Sequence, residues 1–186
     1  EISDESPVIR LLNPAETEHA HYIQQGWAVG NDTGAQAIWA APAGATLTPA
    51  TPITLTRTEG DLVFEKTIAV DDKYMFTVTQ TVTNNGSGDR LVRAYADVTQ
   101  RNIPEDFRNF MILHEGPLGV IGTKLYERKY KKLANNKNKA VEAEGVGGWI
   151  GITNKNWLAA VIPSQDQEIE AYLTNNSKTS IPVFKS

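Results

Sequence analysis

Residues 75 to 83, MFTVTQTVT, constrain the fold more tightly than any other stretch of the chain. Phe76, Val78, Gln80 and Val82 fall on one side of a strict alternation, with Met75, Thr77, Thr79, Thr81 and Thr83 on the other. A period of two filled with side chains that are stiff at χ1 describes a strand with one buried face. Gln80 is the polar exception on the apolar side. The run ends in Asn84-Asn85-Gly86-Ser87-Gly88, where Asn and Gly tolerate positive φ, and Leu91 to Val98 resumes a strand pattern, so a hairpin is expected there. Upstream, Leu62 to Val70 reaches Met75 through the polar turn Asp71-Asp72-Lys73, and the three strands together predict an antiparallel meander.

Further short strands are expected at Val8–Leu12, His21–Val29, Ala37–Ala40, Ile53–Arg57, Phe110–His114, Val120–Leu125, Lys139–Glu144, Trp149–Thr153, Trp157–Ile162 and Glu168–Leu173. They are punctuated by Gly, Pro, Asn and Asp. No window carries a sustained apolar stripe at helical spacing; the best candidate is one turn near Pro104-Glu105-Asp106-Phe107, with Pro at the first helical position. Crossover helices, which a parallel sheet requires, are missing from the pattern. The fold class is therefore all-β, a sandwich of antiparallel sheets with little helix. At 186 residues the chain reads as a single domain, 1–186, able to bury a core without staples. Ala41–Pro52, rich in Ala, Pro and Thr, reads as an extended connection.

Composition removes several functions. There is no cysteine, so no disulfide framework, thiolate metal site or cysteine nucleophile. A net charge of −4 argues against nucleic acid as a partner. No apolar run approaches the ~18 residues that span a bilayer.

Four constellations bear on chemistry. His19-Ala20-His21 sets two imidazoles on one face of an extended segment, as zinc or copper would use them, but a solvent-facing edge strand explains the pair better. His114-Glu115 offers an acid/base pair of the kind used by mutarotase-like sandwich enzymes; adjacent strand residues point to opposite faces, which favours a structural role. Lys124, Arg128, Lys129, Lys131, Lys132, Lys137 and Lys139 gather seven of the eighteen basic residues beside Tyr126 and Tyr130. That cluster could meet anionic lipid, RNA or an acidic protein surface, although lysines also blunt an exposed sheet edge, and we favour that use. Were a partner bound there, Lys129, Lys131 and Lys132 are the candidate contacts. Trp27, Trp39, Trp149 and Trp157 would be the stacking platforms for a sugar; Trp149 and Trp157 sit in apolar strand patterns and are expected in the core. Gly145-Val146-Gly147-Gly148 lacks the Lys-Ser/Thr and the helix of a phosphate loop. No catalytic residue, cofactor or metal is expected.

Several stretches, taken in order, resemble the large periplasmic domain of the YidC family of membrane protein insertases. Gly147 to Pro163, GGWIGITNKNWLAAVIP, is similar to the family's glycine–tryptophan signature. Phe64 to Asn84, FEKTIAVDDKYMFTVTQTVTN, resembles its alternating strand pair, and His114 to Leu133, HEGPLGVIGTKLYERKYKKL, its Gly-Pro segment and the Lys/Tyr-rich strand after it. Ser6-Pro7, Leu11-Leu12, Gly26-Trp27 and Ala43–Thr56 fall in the family's order.

The resemblance implies a β-supersandwich of the mutarotase type on the periplasmic face of the bacterial inner membrane. It implies the central portion of a larger periplasmic domain, trimmed at both ends, in a membrane-embedded parent. The implied role is non-enzymatic: protein–protein contact with Sec translocon components (SecF-like) and with nascent membrane proteins, as a chaperone module in insertion. The alternative is a carbohydrate-binding or mutarotase-like sugar epimerase.

Overall fold

The computed structural model describes residues 10–34, 36–104, 114–134, 140–155, 157–175 and 183–185. The chain forms β1 (His21–Val29), β2 (Ile53–Glu59), β3 (Leu62–Val70), β4 (Phe76–Asn84), β5 (Val92–Arg101), β6 (Gly116–Ile121), β7 (Lys124–Glu127), a single-turn helix α1 (Tyr130–Ala134), β8 (Val141–Val146), β9 (Gly148–Asn154), β10 (Trp157–Val161), β11 (Glu168–Asn175) and β12 (Val183–Lys185). The strand orders are β1-β5-β12-β11-β8, β10-β9-β6-β7 and β2-β3-β4. Every pairing with a determined register is antiparallel. The all-β expectation holds.

The chain forms two compact units, one from residues 1–25 and 96–186, the other from residues 26–95. In the second unit, β2, β3 and β4 make an antiparallel ladder. Val63 opposite Thr83, Glu65 opposite Thr81 and Thr67 opposite Thr79 fix its register, with no bulge along β4. Odd residues of β3 and β4 share one face, which carries mostly threonine. The other face bears Phe64, Ile68, Val78 and Val82, the period-two alternation read from sequence. Asp71 closes the β3–β4 turn: its Oδ1 accepts from the amides of Lys73 and Met75, each at 2.8 Å.

In the first unit the core lies where β5 meets β9, β10 and α1. Val98, Tyr130, Leu133, Ile152 and Ala159 are buried together, with Ile103 and Val161 packed against them. Gly147 and Gly148 turn the chain from β8 in one sheet to β9 in the other, at φ +66° and +119°. A Cβ on Gly148 would collide with the carbonyl of Val120 on β6, so the corner requires glycine.

Several local expectations change. The hairpin predicted between β4 and β5 does not form, because β5 lies between β1 and β12 in another sheet. The connection is shaped instead by its own side chains. Asn84 donates through Nδ2 to Gly88 O at 2.7 Å, and the Asn85 amide reaches back to Asp61 O at 2.8 Å. The meander is thus β2-β3-β4 rather than β3-β4-β5. The single strand expected at Val120–Leu125 is a hairpin, since Gly122, at φ +58°, breaks it. Ala37–Ala40 contributes one bridge, Ala40 to Thr56, rather than a strand. Of the strand expected at Val8–Leu12, Arg10–Leu12 are described and form no strand, while Val8 and Ile9, most of Phe110–His114 and residues 105–107 of the expected turn fall outside the described residues.

Candidate protein-contact surface

β10 is the edge of its sheet among the described residues and pairs only with β9, from Trp157 opposite Asn154 to Val161 opposite Ile150. Its alternation sends Ala159 and Val161 into the core. Leu158 and Ile162 are left 48% and 59% exposed, and Trp157, expected in the core, is 45% exposed. From Trp157 through Pro163 there is no charged residue. Natural edges are ordinarily blunted by charge, proline or a bulge, and β10 lacks all three along its length. Thr153 Oγ1 donates to Trp157 O at 3.2 Å and ties down its first residue. The arrangement is an apolar strand with one hydrogen-bonding side committed to β9, which suits an extended apolar chain.

The other sequence candidates are held apart. α1 is a one-turn amphipathic helix: Tyr130 and Leu133 are buried while Lys131 and Lys132 are exposed. The pattern reads as strand in sequence because one turn is too short to show a 3.6-residue period. Lys129 is half-buried, and its carbonyl accepts from the amides of Lys132 at 2.9 Å and Leu133 at 3.2 Å. Of the cluster, Lys124, Lys131 and Lys132 are exposed, and Arg128 and Lys129 are half-buried. Lys137 and Lys139 lie outside the described residues.

His21 is buried, with Nδ1 2.8 Å from Leu11 O and Nε2 without a partner. Burial pushes this imidazole below its ordinary value, partly offset by the bond to Leu11. His19 is exposed and precedes the strand, so the two rings do not share a face and the expected edge-strand pair is corrected. Among the described residues no three ligating side chains gather into a metal site. His114 places Nδ1 3.9 Å from Glu127 and Nε2 3.3 Å from Pro117 O, whereas Glu115 is buried beside Tyr130. Its charge and, more strongly, burial push the Tyr130 phenol well up. The two adjacent residues serve different neighbourhoods. The Gly147-Gly148 amides are already spent: Gly147 N donates to Gln167 O at 2.9 Å and Gly148 N to Gln165 Oε1 at 3.0 Å.

A recess of about 280 Å³ on β7, β8 and β11 was not expected from sequence; it is lined by Tyr126, Glu142, Ala143, Glu144, Glu170 and Tyr172. Tyr172 donates to Glu170 Oε2 at 3.2 Å, and that bond holds its phenol above the ordinary value, reinforced by the carboxylate charge. The sequence signal for it is the alternation Glu142/Glu144 and Glu168/Glu170, acidic residues outside the basic cluster. In the second unit, Arg57 stacks between Trp39 and Phe64, its Cζ 5.6 Å and 4.4 Å from the two ring centroids.

The model of the YidC periplasmic domain family matches residues 1–185. The chain is 40% identical over 173 residues to a protein of Brucella suis biovar 1 (strain 1330) named Membrane protein insertase YidC, covering 90% of the chain and 28% of that relative. A protein of the same name from Caulobacter vibrioides (strain NA1000 / CB15N) is 40% identical over 189 residues, 97% of the chain and 30% of the relative. One from Maricaulis maris (strain MCS10) is 37% identical over 191 residues, 100% of the chain and 32% of the relative. The chain thus spans less than a third of the length of these curated relatives.

Proposed function

The chain belongs to the YidC periplasmic domain family, and we propose on that premise that it is the non-catalytic polypeptide-contact module of an inner-membrane protein insertase, with β10 as its contact edge. The observation that carries this reading is the uncharged, half-exposed edge formed by Trp157, Leu158 and Ile162. A membrane protein awaiting insertion offers extended, apolar segments, and such a segment gains backbone hydrogen bonds along a strand edge and apolar burial from its side chains. Contact with Sec translocon components, SecF-like among them, follows from the family resemblance. Lys129, Lys131 and Lys132 are assigned to an acidic surface or anionic headgroups, with Lys131 and Lys132 the more exposed.

A photocrosslinking residue at position 158 of the full-length parent, activated in cells during synthesis of a membrane protein, tests the reading. Crosslinks to the nascent chain are expected from position 158 and not from Thr58 on the threonine face. Equal yields at both positions, or none at 158, would remove β10 from the mechanism.

A further inference from the structure

The outer edge of β4 has a property that β10 lacks. Residues 77 to 83 read TVTQTVT in either direction, a palindrome centred on Gln80. Read antiparallel against a second copy about that residue, Val78 faces Val82, Thr79 faces Thr81, Thr77 faces Thr83 and Gln80 faces itself. A two-fold interface requires this self-complementarity, because every contact is made twice with the roles exchanged.

The backbone is arranged to use it. The Asp71 amide donates to Met75 O at 3.0 Å, and the Asn85 amide to Asp61 O at 2.8 Å. With the register of β3 against β4, these two bonds set which pairs are hydrogen-bonded: the odd residues of β4 turn their amides and carbonyls toward β3. The even residues Phe76, Val78, Gln80, Val82 and Asn84 therefore direct theirs outward, where no strand pairs with β4 among the described residues. Over those nine residues β4 has no charge, proline, glycine or bulge, the devices by which exposed edges usually resist pairing. In the two-fold arrangement the even residues face even residues, so outward donors meet outward acceptors.

Gln80 supplies the second observation. Its Oε1 is buried and has no hydrogen-bond partner, on the otherwise apolar side of the strand. A buried amide oxygen left unpaired is costly, and each such group calls for an explanation. Covered within one copy, each Oε1 would have to swing outward about χ3 on the dyad to accept from the Nε2 of the other, giving a reciprocal amide pair. Lys66, opposite Gln80 on β3, would stand three strand spacings from its own copy, roughly 14 Å, beyond the ~10 Å screening length, so its charge does not forbid the approach.

We propose that β4 is a homodimerisation edge, pairing antiparallel with β4 of a second copy about Gln80 to give the continuous order β2-β3-β4-β4-β3-β2. This proposal is independent of the reading of β10. Sedimentation equilibrium of the 186-residue chain over a concentration series tests it, with two double variants on the exposed threonine face. Thr79→Lys with Thr81→Lys sets like charges opposite each other twice, and is expected to weaken self-association about tenfold. Thr79→Glu with Thr81→Lys sets opposite charges there, and is expected to restore or tighten it. Amide exchange at Val78, Gln80 and Val82 is expected to slow as the dimer forms, while that of Thr79 and Thr81 does not change. A monomer at every concentration overturns the proposal, as does a Lys/Lys variant that associates like the parent. Protection of the outward amides that appears only on adding an unrelated extended peptide also overturns it, and assigns the edge to a foreign strand.

Discussion

The phenolic oxygen of Tyr130 stands 2.6 Å from Oδ1 of Asn154, joining α1 to β9 inside the core of the first unit. Asn154 Nδ2 in turn donates to Gln100 Oε1 on β5 at 3.0 Å, and the same phenolic oxygen lies 3.1 Å from Gln100 Oε1. A hydroxyl has one proton, and the shorter contact takes it, so Asn154 receives the phenol's bond and passes one on to Gln100. Tyr130→Phe keeps the packing and strands an acceptor, so a loss of about 1–3 kcal/mol is expected in urea unfolding. A loss below 0.5 kcal/mol would mean that water or a rotated amide replaces the bond. Because burial, and then the charge of Glu115, raises this phenol, it stays neutral while the unfolded chain ionises above pH ~10. Its share of stability is therefore lost only in strong alkali.

At the corner between β8 and β9, Gly148→Ala is expected to cost about 2–4 kcal/mol, because the new methyl meets the Val120 carbonyl at a φ that alanine avoids. Thermal unfolding of the variant reads this directly. Gly88→Ala, at a position with open space around it, is the control expected to change little.

Acid sensitivity is expected from His21. Burial holds its folded pKa below 6.5, so in the window between that depressed value and 6.5 the unfolded chain takes up a proton that the folded chain refuses. Stability then falls as pH drops through this window, and above it the contribution is constant. Comparing unfolding midpoints from pH 7.5 down to pH 5 for the parent and His21→Gln should show a shallower slope in the variant. Parallel slopes would place the proton elsewhere.

Glu144 and Glu170 are directly opposed on β8 and β11. Like charges in that relation repel, so Glu144→Lys is expected to raise stability by about 0.2–1 kcal/mol, with the gain shrinking in high salt. A salt-independent gain would point to packing rather than charge.

Most of the strands were legible because period-two alternation belongs to the segment itself. Leu62–Val70 and the strand beginning near Met75 lie where their alternation put them, and the Asp71 turn between them closes through its own side chain. The contact surface was less legible. Trp157 belongs to an apolar run that reads as core; whether such a run is covered depends on strands distant in sequence, and among the described residues β10 has a neighbour on one side only. His21 shows the converse, a polar residue that the fold buries, with its Nδ1 2.8 Å from the carbonyl of Leu11, ten residues away. The lysines after Arg128 hid a helical turn, since Tyr130 and Leu133 give it only two buried positions.

By itself, then, the sequence determined the all-β class, the β3–β4 hairpin and membership of the family, because alternation, turn chemistry and ordered motifs are local and additive. Only the tertiary structure decided that β5 leaves β4 for another sheet, that β10 and β4 are edges among the described residues, and that Gln80 carries an unpaired oxygen. Strand partnership is a competition among segments far apart in the chain, decided by which pairing buries most and leaves fewest polar groups unmatched. No single segment carries that information.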